Sequence, residues 1–286
     1  IIWEMQSVIT LMWRGSEMSK KILEIKNLTA GYKGKRIVDH VSFDLYEGEV
    51  LGIVGESGCG KSTLLKTLLN PAEYGISVEK GEAVFQGKDL LKLTEKERRQ
   101  LYGSQITMVF QNSASSFNPI RTYRKQFEET LKSHNLWKGE ASVREILDSF
   151  SRIHLSDGER ILNSCPYELS GGMNQRVGIT MATILQPAFL LADEPTSALD
   201  VTVQAEVVKE LMVLHQRMQF SMILVTHNMG VAANMCDKIA VMHNGIFVEL
   251  KKTSELLKNP EDEYTRRLFQ AVPRLKNGRR KQKDEK

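Results

Sequence analysis

The 286-residue chain has little cysteine, and its three thiols stand far apart, at Cys59, Cys165 and Cys236. No pair of them has metal-ligand spacing, and a reducing, cytosolic setting is the simplest reading. Nor is there any run approaching the ~18 consecutive apolar residues of a membrane span. The apolar opening at residues 1–13 is short and carries Glu4. It lacks both a basic start and a small-residue cleavage site, so it reads poorly as a signal peptide. Met18 followed by Ser19-Lys20-Lys21 looks like a natural start, and residues 1–17 are set aside as either non-native or an upstream extension. No internal repeat is present. Neither sign of charge dominates: 39 Lys and Arg face 35 Asp and Glu, a net charge of +4. The two signs interleave along most of the chain, which marks a solvated surface rather than a nucleic-acid face. The exception is the basic stretch 274–286, without apolar partners, expected to be a disordered tail with at most a weak attraction to acidic lipid.

What remains is an ordinary globular composition, 41% hydrophobic and 26% charged with seven prolines. The length suits one large domain or a core carrying an insertion. Alternating apolar residues over 22–25 and 37–45, where Val41, Phe43 and Leu45 share a face, predict antiparallel strands with one side buried. The nearly continuous apolar run 50–54 predicts a central parallel strand, followed by a glycine-rich turn and a helix over 62–69. Further strands are expected at 83–85 and 106–110. From about 112 to 166 apolar residues fall at helical spacing (Phe127 and Leu131; Val143, Ile146, Leu147 and Phe150), which predicts an inserted α-helical subdomain. Strand and helix then alternate again: helix 172–185, strand 189–192, helix 201–218, strands 222–226 and 238–242. Asn244-Gly245 then turns the chain into a last strand over 246–250. The expected fold is α/β, a mostly parallel sheet with helices, an antiparallel β fringe and a helical arm.

Gly55-Glu56-Ser57-Gly58-Cys59-Gly60-Lys61-Ser62-Thr63 fits the pattern of a phosphate-binding loop. Its glycines let successive N–H groups turn inward toward phosphate oxygens, and the helix that follows adds its positive end. Lys61 would reach the β- and γ-phosphates, and the Ser62 hydroxyl would ligate magnesium. Cys59 occupies a free position of the pattern and reads as a small filler. The strand 189–192 runs into Asp193-Glu194, which places two carboxylates at the sheet edge that also carries the loop. Asp193 would hold magnesium through water and Glu194 would act as general base on the attacking water. Leu169-Ser170-Gly171-Gly172-Met173 opens a helix; alone it is an N-cap, and near the Asp-Glu strand it is a second candidate anion site.

In this order and spacing the motifs resemble the nucleotide-binding subunit of ABC transporters, from about residue 22 to residue 273. The resemblance implies a P-loop NTPase core using ATP and Mg2+, in a single cassette over 18–273. It implies that Tyr32 stacks on adenine. Gln111 would touch magnesium and sense the membrane subunits, and His227 would contact the γ-phosphate. It also implies that Ser170, Gly171, Gly172 and Met173 touch the ATP held by a partner subunit, and that Ser197-Ala198-Leu199-Asp200 crosses the dimer interface. Taken singly, Tyr32 also fits a packed strand aromatic, Gln111 a surface amide and His227 a loop histidine. His40, His134, His154, His215 and His243 receive no role.

The stretch from Asn112 to Pro119, the Met173-Asn174-Gln175-Arg176 run, Tyr264-Thr265 and Ala271-Val272-Pro273 resemble the importer branch for dipeptides, oligopeptides and nickel. Two departures stand out: Asp262-Glu263 replaces the usual His-Pro before Tyr-Thr, and the cysteine cluster of some relatives is missing. The first leaves the role of the extension open, and the second argues against an iron–sulfur cluster. The branch implies uptake of peptides or a nickel-type metal complex, at the cytoplasmic face of a bacterial membrane. Its partners would be a second, homologous ATPase subunit, two transmembrane permease subunits and an extracytoplasmic substrate-binding protein, with no nucleic acid. The alternative is a non-transport ABC ATPase acting on nucleic acid or the ribosome. One cassette without a coiled-coil or zinc insertion disfavours it.

Overall fold

Backbone pairing divides the strands into two sheets in the computed structural model, which describes residues 20–197 and 199–270. The expectations for residues 1–17, for Ala198, for Ala271-Val272-Pro273 and for the tail 274–286 lie outside the described residues. The smaller sheet is antiparallel, in the order β2-β1-β4-β5, from β1 (Lys21–Tyr32), β2 (Lys35–Tyr46), β4 (Ser77–Phe85) and β5 (Lys88–Asp89). The larger has the order β10-β9-β3-β8-β7-β6, from β3 (Val50–Val54), β6 (Ile106–Val109), β7 (Phe189–Asp193), β8 (Ser221–Thr226), β9 (Lys238–His243) and β10 (Ile246–Lys252). Its strands run parallel except β10, which returns antiparallel on β9 through Asn244-Gly245, both at positive φ.

Helix α1 (Lys61–Leu69) lies between the sheets. Leu64, Leu65 and Leu68 pack with Leu23, Phe43 and Phe85 of the small sheet and with Leu51, Ile53, Leu191 and Val225 of the large one. The intervening residues Val50, Val54, Leu190 and Leu224 join a second core on the other face. The apolar run of β3 is thus divided by the two-residue strand period between two cores, which is why all five of its positions are buried. α6 (Gly171–Thr183) and α7 (Val201–Met218) contribute to that second core.

The arm between β6 and α6 consists of α3 (Tyr123–Ser133), α4 (Glu140–Arg152) and α5 (Gly158–Asn163). Phe127 and Phe150, both fully buried, meet edge to face at 5.8 Å, a favoured aromatic geometry. The arm is tied to α6 by a hydrogen bond from the Tyr123 hydroxyl to the side-chain Oδ1 of Asn174. Gly178 of α6 admits Ser113, since a Cβ there would meet its Oγ at 2.5 Å.

Four elements depart from the sequence expectation. β1 continues to Tyr32, because irregular pairing around Asn27, at φ 48°, shifts the inward-facing set and breaks the alternation. β4 begins at Ser77, ahead of the residues expected, where Glu79, Lys80 and Glu82 hide its pattern. α2 (Glu95–Leu101) and α8 (Met229–Met235) are short helices without an extended apolar stripe. They are set by the Thr94–Glu97 capping box and by Asn228, whose side chain accepts from Gly230 and Val231 N–H. α9 (Thr253–Lys258) and α10 (Glu263–Gln270) follow β10.

Candidate active site

Four neighbouring strands, β3, β8, β7 and β6, end at the same edge of the large sheet. There they deliver the phosphate loop, His227, Asp193-Glu194 and Gln111 to one place, as expected where parallel strands end.

Between β3 and α1 the loop follows from its sequence. Gly60 sits at φ 114°, and a Cβ there would lie 2.6 Å from the Ile37 carbonyl oxygen of β2, so a side chain would force loop and small sheet apart. Glu56, Ser57 and Gly58 are exposed at the loop's crest. Lys61 is only 4% exposed, and its ammonium donates to the carbonyls of Gly55 and Glu56, both at 2.8 Å. Burial pushes the Cys59 thiol up, against the pull of the Lys61 ammonium 3.8 Å from its sulfur. A neutral, packed thiol fits the role of filler. Thr63 sits in the first turn of α1 and its carbonyl accepts the Thr67 hydroxyl.

The Ser62 hydroxyl donates to Asp193 Oδ1 at 2.8 Å. Burial pushes the Asp193 carboxyl up, the Ser62 hydroxyl pulls it down, and the Glu194 charge adds to the upward push. Next to it, Glu194 has φ 43°, uncommon outside glycine, with its N–H held by the Val225 carbonyl of β8 at 2.9 Å. Its Oε2 lies 3.1 Å from His227 Nδ1 and 3.4 Å from Gln111 Nε2. Six sequence-selected residues, Lys61, Ser62, Gln111, Asp193, Glu194 and His227, therefore converge.

The others stand apart. Tyr32 is half-buried at the end of the β1–β2 hairpin, paired across it with Lys35. The strand that follows it, β2, carries Ile37 against Gly60 of the loop. Ser170 caps α6, its hydroxyl accepting the Met173 N–H at 3.3 Å. Gly171 is exposed, and a Cβ there would have open space around it. Gly172 faces Val203 instead. Among the described residues, no hydrogen bond links Ser170–Met173 to the phosphate loop of the same chain. Ser197 donates through its hydroxyl to the Glu194 carbonyl at 3.2 Å, and Asp200 accepts the Val203 N–H.

One contact was not anticipated. The Tyr264 hydroxyl of α10 accepts the Glu56 N–H at 3.0 Å. Its ring packs on His243, centroids 4.0 Å apart. The Tyr264-Thr265 pair stood out in the sequence, but nothing in its pattern pointed across 208 positions to the loop.

The residues present suit a nucleoside triphosphate with a hard divalent cation. The loop sets a buried ammonium at the start of α1, and a hydroxyl and a carboxylate oxygen lie 2.8 Å from each other. The family model for "ABC transporter" matches residues 38–197. The chain belongs to the ABC transporter family. As a member it is an ATPase that uses ATP with magnesium. This ABC subunit is 39% identical over 261 residues to the dipeptide transport ATP-binding protein DppD of Bacillus subtilis, covering 90% of this chain and 78% of that protein. It is 37% identical over 264 residues to a probable peptide ABC transporter ATP-binding protein of Sinorhizobium fredii, with the same 90% and 78% coverage. Among solved structures it is similar to a dimeric ATP-binding cassette in a post-hydrolysis state bound to ADP and Pi. The TM-score there is 0.70 and the identity 27%, covering 81% of this chain and 99% of the other. Among its described residues no helix is long and apolar enough to cross a membrane.

Proposed function

We propose that this ABC ATPase energises the uptake of peptides through partner permeases at the cytoplasmic face of a bacterial membrane. The observation that carries the proposal is the similarity to peptide and dipeptide transport proteins over nine-tenths of the chain. Those relatives favour peptides over a nickel-type complex as the cargo. A second, homologous ATPase subunit is the proposed dimer partner, and an extracytoplasmic binding protein supplies the peptide.

The residue roles rest on the family resemblance, and placement supports those of the six residues that converge. Loop amides and Lys61 take the β- and γ-phosphates; Ser62, Gln111 and, through water, Asp193 hold magnesium, which supplies positive charge against the phosphates. Glu194 is the general base, aimed by the contacts of its Oε2 with His227 and Gln111. His227 also meets the γ-phosphate, and Tyr32 stacks on the adenine. Ser170, Gly171, Gly172 and Met173 face outward to the partner's nucleotide, in keeping with the open space at Gly171. The permease docks in a cleft of about 430 Å³ at the far end of α1. Leu69, Tyr102, Met108, Phe117 and Met181 line it, and Phe110 joins it directly to Gln111.

The test is co-fractionation. In cells that carry the candidate permease pair, the protein is expected in the membrane fraction, and its ATP hydrolysis there should rise with peptide-loaded binding protein. Free cytosolic protein in the presence of those permeases would reject the reading. Copurification with nucleic acid that survives high salt would favour the non-transport alternative instead.

A further inference from the structure

The phosphate loop is braced from outside by a helix that begins more than 200 residues later. The peptide unit between Gly55 and Glu56 is held at both ends: its carbonyl accepts from Lys61 Nζ at 2.8 Å, and its N–H donates to Tyr264 Oη at 3.0 Å. An amide plane is rigid, so fixing the N–H fixes the opposite carbonyl and thereby one of the two oxygens on which the Lys61 ammonium rests. Without the phenol oxygen, this N–H at the exposed crest has only water to satisfy it. The plane is then held at its carbonyl end alone.

The brace is itself anchored. Tyr264 packs its ring on His243, at the end of β9, and Leu268 of the same helix packs against the main core. The start of α10 is pinned by Glu249 of β10, whose carboxylate oxygens accept the N–H groups of Glu261 at 3.0 Å and Asp262 at 3.2 Å. Lys251 bridges Glu249 and Glu261 at 2.9 and 2.8 Å. Asp262 in turn accepts the N–H groups of Tyr264 and Thr265. Asp262, the first of the two residues that replace His-Pro in this chain, is therefore part of the attachment of Tyr264.

We propose that Tyr264 is a positioning residue for ATP binding: its hydroxyl orients the Gly55–Glu56 peptide, and through it Lys61, with Glu249 holding the helix that presents it. The inference rests on the phosphate loop being the ATP site.

The test uses the full chain with ATP and magnesium. Tyr264→Phe keeps the ring on His243 and removes only the acceptor. Loss of one neutral hydrogen bond predicts that Kd for ATP by calorimetry, and KM in hydrolysis, rise about three- to ten-fold while kcat stays within about two-fold. Hydrogen exchange at Glu56 should accelerate, with the melting temperature nearly unchanged. Glu249→Gln should weaken ATP binding in the same direction, and the double variant should lose less than the sum of the two, since both act through one contact. A Tyr264→Phe protein with wild-type Kd and wild-type Glu56 exchange would overturn the proposal, as would strict additivity. A wild-type chain that bound no ATP would overturn the ATP-site reading as well, so the two failures are distinct.

Discussion

Asp193 and Glu194 are chain neighbours with opposite surroundings. Asp193 is 6% exposed, closes β7 and shares a hydrogen bond with Ser62, whereas Glu194 turns out of the strand at positive φ toward His227 and Gln111. The first suits holding a cation and the second suits handling a proton. Glu194→Gln is accordingly expected to bind ATP with near wild-type affinity and to lose about 10²- to 10⁴-fold in turnover. Equal turnover in a steady-state assay would remove Glu194 from the role of base. A second residue-scale contrast lies on α6. The Arg176 guanidinium contacts Glu210, whose side chain is 3% exposed, and Glu206, whose side chain is 58% exposed. Burial pushes the Glu210 carboxyl up, and the Arg176 charge and hydrogen bonds oppose it. Removing the buried partner leaves a poorly solvated guanidinium, so Glu210→Gln should cost about 3 kcal/mol. Glu206→Gln should cost less than ~1 kcal/mol. Urea unfolding of both variants checks the difference, and equal losses would contradict it.

At the scale of elements, the attachment of α10 has a pH signature. Burial pushes Glu249 up, but N–H donation from Glu261 and Asp262 and the Lys251 ammonium outweigh it and hold the carboxyl at about 2. A carboxyl held below its ordinary value of 4.5 stabilises the fold fully above that value. This contribution fades as pH falls from there toward about 2. The melting-temperature gap between wild type and Glu249→Gln should therefore be widest near neutrality and close on acidification through that window. A gap independent of pH would exclude the linkage.

The same elements mark what sequence could reveal. Buried parallel strands such as β3 and β7 were legible because apolar runs end in motif residues whose spacing is fixed by chemistry. β1 was half hidden, since its bulged pairing near Asn27 breaks the alternation that betrays a strand. α2 and α8 were missed because capping residues, rather than an apolar stripe, define them. In the site, Lys61, Ser62, Asp193, Glu194, Gln111 and His227 were legible through their motifs. Tyr264 was not, because its contact is with a backbone N–H, and backbone partners leave no trace in residue type.

For the whole molecule, the sheet edge gathers Lys61, Asp193 and Glu194, while Gly171 is exposed at the start of α6, where the contact with a partner's nucleotide is proposed. Gly171→Asp tests whether that outward face is used. Open space surrounds a Cβ there, so the variant should melt within about 2 °C of wild type. In the assembled transporter it should lose most ATP hydrolysis, because an added carboxylate would meet the partner's triphosphate. Retained hydrolysis with an intact fold would argue against the shared site.

The Glu56–Tyr264 hydrogen bond also sets an order of events at the ribosome. The two residues are 208 positions apart, and at about 5–20 residues per second the loop waits roughly 10–40 s for its brace. The strands that flank β3, namely β8 and β9, and the site residues Asp193, Glu194 and His227 are also made late in that interval, so sheet, site and brace are completed close together. Full grip on nucleotide is thereby deferred until translation has passed Tyr264.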